Sequence, residues 1–124
     1  MMQTILTDQA PTPIGPYSQA IRCGNLIFVS GQLPLDPKTG ALVTGIAEET
    51  KQVFENLKAV IEAAGSGLDR ALKVTVYMRD LSQFAEMNKV YATFFRENPP
   101  ARSTIQVAAL PRGVSVEIDV VAEA

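Results

Sequence analysis

From Val114 to Val120 the apolar residues Val114, Val116, Ile118 and Val120 are interleaved with Ser115, Glu117 and Asp119. A period of two is what a half-buried strand imposes, because successive side chains point to opposite faces. Residues 102–107 alternate likewise, with Ser103, Ile105 and Val107 on one face and Arg102, Thr104 and Gln106 on the other. A further strand is predicted over residues 71–79, where Val74, Val76 and Met78 alternate with Lys73, Thr75, Tyr77 and Arg79. Gln19 to Cys23 and Leu26 to Ser30 flank Gly24-Asn25, a dipeptide suited to the two-residue turn of a hairpin. Gly31 and the loop from Pro34 to Gly40 end that hairpin's second strand, and Thr4-Ile5-Leu6 reads as one more short strand.

Elsewhere the period changes to that of a helix. Ile46, Val53, Phe54, Leu57, Val60, Ile61 and Ala64 form one stripe, predicting a helix over residues 46–64 with Glu48 and Glu49 at its start and Gly65 closing its end. A second helix carries Leu81, Phe84, Met87, Tyr91, Phe94 and Phe95; Asp80 and Gln83 form its capping pair, and Pro99-Pro100 stops it. The order ββ(β)αβαββ predicts an α+β fold whose strands share one sheet, and 124 residues fit a single domain, 1–124, with a core that needs no disulfide or metal.

The last two strands carry the candidate chemistry. If they form a hairpin in which Val107 faces Val114, Glu117 lies opposite Thr104 and Arg102 is one same-face step away, roughly 7 Å. An arginine fork grips a carboxylate through two parallel hydrogen bonds, and a glutamate beside it can orient water or move a proton. The same residues also suit an ordinary cross-strand ion pair on a solvated face. Asn88 lies near the apolar stripe of the second helix, where its amide either fixes a loop or lines a polar site.

Composition narrows the choice. Histidine is absent and Cys23 is the only cysteine, which removes the usual ligands of zinc, iron or copper and the usual Ser–His and Cys–His nucleophile pairs. Cys23 cannot form an internal disulfide; it is a small buried hydrophobe or a reactive thiol, and the lack of a cationic cluster beside it in sequence favours the buried reading. Eleven basic and thirteen acidic residues give a charge of −2 with no basic run, so nucleic-acid binding has no electrostatic support. The start of the chain lacks the pattern of a secretory signal, and no apolar run is long enough to span a bilayer; the expected compartment is cytoplasmic, with no membrane partner.

Ala10-Pro11, Ile14-Gly15-Pro16-Tyr17-Ser18-Gln19-Ala20, Val29-Ser30-Gly31-Gln32-Leu33-Pro34, Asp36-Pro37-Lys38-Thr39-Gly40, Pro100-Ala101-Arg102-Ser103 and Val116-Glu117-Ile118 follow one another along the chain. In this order and spacing they resemble the RidA (YjgF/YER057c/UK114) family of reactive-intermediate deaminases. The resemblance implies a chorismate-mutase-like (bacillus-type) α+β fold, with two helices on one face of a mixed sheet, assembled as a homotrimer around an inner β-barrel. It also implies clefts between subunits that bind 2-imino or 2-enamino acids, such as 2-aminoacrylate, and hydrolyse them to 2-oxo acids and ammonia without a cofactor or metal. Arg102 would hold the substrate carboxylate and Glu117 would orient water or pass a proton. Tyr17, Ser30, Gly31 and Asn88 would line the cleft, Gly31 where backbone comes close to ligand. Many members have cysteine where this chain has Thr104, whose hydroxyl can still hold water. Two other functions compete: a non-catalytic module that binds a 2-oxo acid or amino acid, and the ribonuclease activity attributed to some relatives, which the acidic balance disfavours.

Overall fold

The computed structural model describes residues 1–124. Six strands form one sheet: β1 (Met2–Ile5), β2 (Ala20–Cys23), β3 (Leu26–Gln32), β4 (Ala71–Met78), β5 (Ala101–Gln106) and β6 (Val116–Glu123). Their spatial order is β1-β2-β3-β6-β4-β5. Every pairing is antiparallel except β4 with β5, which is parallel. Helices α1 (Ile46–Ala63) and α2 (Phe84–Phe94) pack together, and α1 also packs on β3 and β6. This is the α+β arrangement expected, a mixed sheet with two helices.

Helix α1 forms where its stripe predicts, burying Val53, Phe54, Leu57, Val60 and Ile61 completely. It ends at Gly65, whose φ of 87° is open to glycine; the Gly65 N–H donates to the Glu62 carbonyl at 3.0 Å and the Ser66 N–H to the Ile61 carbonyl at 3.1 Å. The opposite face of the core comes from the even-numbered residues Val74, Val76, Met78, Val116, Ile118, Val120 and Ala122, all essentially inaccessible. Phe54 joins the layers, stacking on Phe94 at 4.8 Å and meeting Tyr91 and Phe95 edge-on at 5.5 Å each.

Four sequence expectations are corrected. The last two strands do not form a hairpin: β4 lies between them, so Glu117 faces Tyr77, not Thr104, and Arg102 faces Val74. Alternation tells which residues share a face but not which strand lies alongside; here α2 is the crossover that a parallel β4–β5 pair requires. Second, the partner of the Asp80 cap differs. Asp80 accepts from the Ser82 N–H at 2.9 Å as a cap should, but it opens a short 3-10 turn over Leu81–Gln83, and the Leu81 N–H goes to Gln106 Oε1 at 2.9 Å. Third, Cys23 is exposed, because it ends β2 at the turn into β3. The second strand of the N-terminal hairpin also runs past Gly31 to Gln32, across a bulge.

Candidate active site

Residues paired across a sheet share a face, and this rule divides the predicted site in two. Arg102 sits with Val74 on the face covered by the helices, whereas Glu117 sits with Tyr77 on the open face. They are also two strands and three register positions apart, roughly 10 Å in each direction. The expected same-face step between them does not exist within one chain.

The first half is built around Gly31. On β3, Val29 faces Val120 and Gln32 faces Ile118, so the bulge sets Ser30 and Gly31 against Asp119 alone. The side chain of Glu117 lies over the bare Cα of Gly31: a Cβ there would collide with Oε2 and stand 3.0 Å from Cδ and 3.2 Å from Cγ. Glycine is required by this approach, not by its backbone angles. Half-burial in this niche raises the pKa of Glu117 above its ordinary value, and the negative charge of Asp119 adds to the effect. Asp119 in turn accepts a hydrogen bond from the Tyr77 hydroxyl at 2.9 Å.

Glu117, Gly31, Ser30 and Tyr17, with Ile14, Leu33 and Pro111, line an open cleft of about 300 Å³. The Ser30 hydroxyl is committed to the Ser18 carbonyl at 2.5 Å, so it fixes the loop and leaves its lone pairs to the cleft. Tyr17 is 47% exposed and forms a wall. Its loop is pinned by buried Gln19, which accepts from the Thr7 N–H at 2.7 Å and donates to the carbonyls of Thr7 and Pro11, each at 3.0 Å. Buried Asn56 of α1 performs the same service beyond β3, donating to the carbonyls of Leu33 and Leu35 at 3.0 and 2.9 Å. A wider groove of about 520 Å³ runs along α1 past Glu55, Lys58 and Glu62.

The second half is a cradle for Arg102. Its Nη1 donates to Asn88 Oδ1 at 2.7 Å, and its guanidinium lies over the Tyr91 ring at 4.5 Å and near the Phe84 ring at 5.4 Å. Of the two roles open to Asn88, the structure gives it the polar one: it orients an arginine. No carboxylate faces this cation; the chain's one ion pair joins Arg70 to Glu123. Nε and Nη2, which form one edge of the fork, have no acceptor. Two positions along β5, the Thr104 hydroxyl is buried without a partner, as is that of Tyr91.

The seven predicted residues thus fall into two groups, Tyr17, Ser30, Gly31 and Glu117 in one, Asn88, Arg102 and Thr104 in the other. In the sequence Phe84 and Tyr91 belong to the apolar stripe of the second helix and individually carry no sign of a site. The signal that could have marked them is their spacing, since Phe84, Asn88 and Tyr91 fall at i, i+4 and i+7 on one stripe of α2. No three His, Cys, Asp or Glu side chains gather to hold a metal ion.

Comparisons with known proteins agree along the whole chain. The family model described as Endoribonuclease L-PSP matches residues 7–124. A RutC family protein of Pyrococcus horikoshii is 53% identical over 123 residues, covering 98% of each chain. The 2-iminobutanoate/2-iminopropanoate deaminase of Salmonella typhimurium is 44% identical over 125 residues, again covering 98% of each. The crystal structure of RidA from the Antarctic bacterium Psychrobacter superposes with a TM-score of 0.96 at 48% identity, covering 98% of this chain and 99% of that one. The chain belongs to the Endoribonuclease L-PSP family, the RidA (YjgF) family whose motifs it carries.

Proposed function

We propose that this protein hydrolyses reactive 2-imino and 2-enamino acids to 2-oxo acids and ammonia, as the name of its Salmonella relative states for 2-iminobutanoate and 2-iminopropanoate. The observation that carries the reading is the Arg102 guanidinium, half-buried, oriented by Asn88 and left without any anion. A partly desolvated arginine with a free donor edge is a receptor for a carboxylate. An imino acid supplies that carboxylate next to its electrophilic carbon.

Because Arg102 and Glu117 lie on opposite faces, a complete site takes Arg102, Asn88 and Thr104 from one copy and Glu117, Gly31, Ser30 and Tyr17 from another. In our reading the assembly is a homotrimer with three such clefts, its inner barrel formed by the open faces of the sheets. Exposed Phe28 and Ile105 on that face support its being covered. Once the carboxylate is held, Glu117 accepts a proton from water as its oxygen bonds to the imine carbon, and the C=N electron pair moves to nitrogen. The protonated Glu117 returns that proton to the nitrogen, giving a carbinolamine; Glu117 then takes the hydroxyl proton and passes it to the nitrogen as the C–N bond breaks and the C=O bond forms, so ammonia leaves and the 2-oxo acid remains. Burial suits Glu117 to both roles, since a raised pKa makes its carboxylate a better base. An enamino acid enters this sequence after tautomerising to the imine. The cytoplasm is the compartment we assign, and no helix is long and apolar enough to cross a membrane.

The test is to generate 2-aminoacrylate in situ with a serine dehydratase and follow its decay. Added protein should accelerate decay to pyruvate. Binding of 2-oxo acids with no acceleration would instead favour a non-catalytic binding module. RNA binding that weakens steeply with salt would be needed for a ribonuclease reading, which a charge of −2 does not support.

A further inference from the structure

We propose that Tyr91 is the positioning residue of the carboxylate site, its ring fixing the plane of the Arg102 guanidinium so that the Nε–Nη2 edge faces the ligand. The inference rests on the reading that Arg102 holds the substrate carboxylate. A lone hydrogen bond, here 2.7 Å from Nη1 to Asn88, leaves a guanidinium free to swivel about that contact. A ring face 4.5 Å below removes the freedom, because the cation is attracted to the face and the flat group stacks on it. Tyr91 can act as a fixed platform since it is itself held by the core: it is 6% exposed, meets Phe54 at 5.5 Å and lies against Phe95 at 4.9 Å. Its hydroxyl contributes nothing to that hold, being buried with no hydrogen-bond partner. Phe84, two turns earlier on α2, is more exposed and further from the cation, so it flanks the group without fixing it. Tyr91 therefore couples the aromatic core to the one cation that would read the substrate, acting through Arg102 and not on the ligand.

The experiment titrates wild type and variants with 2-oxobutanoate, an unreactive carboxylate, by calorimetry. Removing a partly desolvated cation–π contact should weaken binding about 5- to 30-fold in Tyr91→Leu. Tyr91→Phe keeps the ring and should restore affinity to within about 2-fold of wild type. In an Arg102→Ala background Tyr91→Leu should cause no further loss, since its effect passes through the arginine. Tyr91→Met fills the same core space with a flexible apolar chain and serves if the leucine variant does not fold. In wild type and Tyr91→Phe the Arg102 side-chain protons should carry a ring-current shift that Tyr91→Leu lacks. Equal affinity in Tyr91→Leu, an undiminished loss in the Arg102→Ala background, or a Tyr91→Phe loss as large as that of leucine would each overturn the inference. Failure of wild type to bind any 2-oxo acid would instead overturn the carboxylate reading, and the inference with it.

Discussion

Gly31→Ala isolates the contact between Glu117 and the β3 bulge. The added methyl would stand 3.0 Å from Cδ and 3.2 Å from Cγ of Glu117, besides colliding with Oε2, and all three of its nearest neighbours belong to that one side chain. Relaxed carbon–carbon contacts lie near 3.5–4.0 Å, so the carboxyl group must retreat by roughly 0.5–1 Å. Because Gly31 is not held at positive φ, the backbone accepts alanine and only the glutamate is disturbed. Turning that half-exposed side chain off its preferred rotamer costs about 0.5–1.5 kcal/mol, which lowers Tm by a few degrees in a chain of this size. The effect on rate is far larger, since a misplacement near 1 Å at a reacting group can reduce turnover about 100-fold. The assay is 2-aminoacrylate decay beside thermal unfolding. Full activity in a folded Gly31→Ala protein would refute the claim that the carboxyl works from this niche. A Tm loss that persists when Gly31→Ala is combined with Glu117→Ala would refute the collision itself.

Other expectations follow from the same geometry. Arg102→Ala should lose about 1,000-fold in kcat/KM and Arg102→Lys should recover little of it, because an ammonium cannot reproduce the planar fork; steady-state kinetics decides. Glu117→Gln should lose about 100-fold, the smaller effect, and should abolish an acid limb that in wild type lies above the ordinary carboxylate range. That raised pKa also has a sign in stability. The folded state binds this proton more tightly than the unfolded one, so the carboxyl lowers stability as pH climbs from about 4.5 through the raised value, and the Tm gain of Glu117→Gln over wild type should grow from acid to neutral pH. Gln19→Leu should cost about 2–3 kcal/mol by denaturant titration, since it strands the buried groups of the Thr7–Pro11 loop.

Much of this was legible in the residues because periodicity is local. The stripe from Ile46 to Ala64 and the alternations around Val76 and Ile118 depend only on neighbours within two turns of helix or a few strand positions, and each element formed where its pattern lay. Strand order was not legible. Nothing between Gln106 and Val116 reveals that β4 separates β5 from β6, so a plausible hairpin register put Arg102 and Glu117 on one face when they occupy two. The motifs at Tyr17, Ser30-Gly31, Arg102 and Glu117 were informative as a set, whereas the cradle of Arg102 was hidden because Phe84 and Tyr91 satisfy a core stripe equally well. Cys23 misled for a related reason: a strand's last residue shares its alternation but not its burial.

The most direct test of a site divided between copies is to mix Arg102→Ala and Glu117→Gln proteins, each nearly inactive alone, and unfold and refold them together. In random mixed trimers about a quarter of the clefts would join an intact Arg102 to an intact Glu117, so about a quarter of wild-type activity should return. A mixture that exchanges subunits yet stays as inactive as its components would contradict the account.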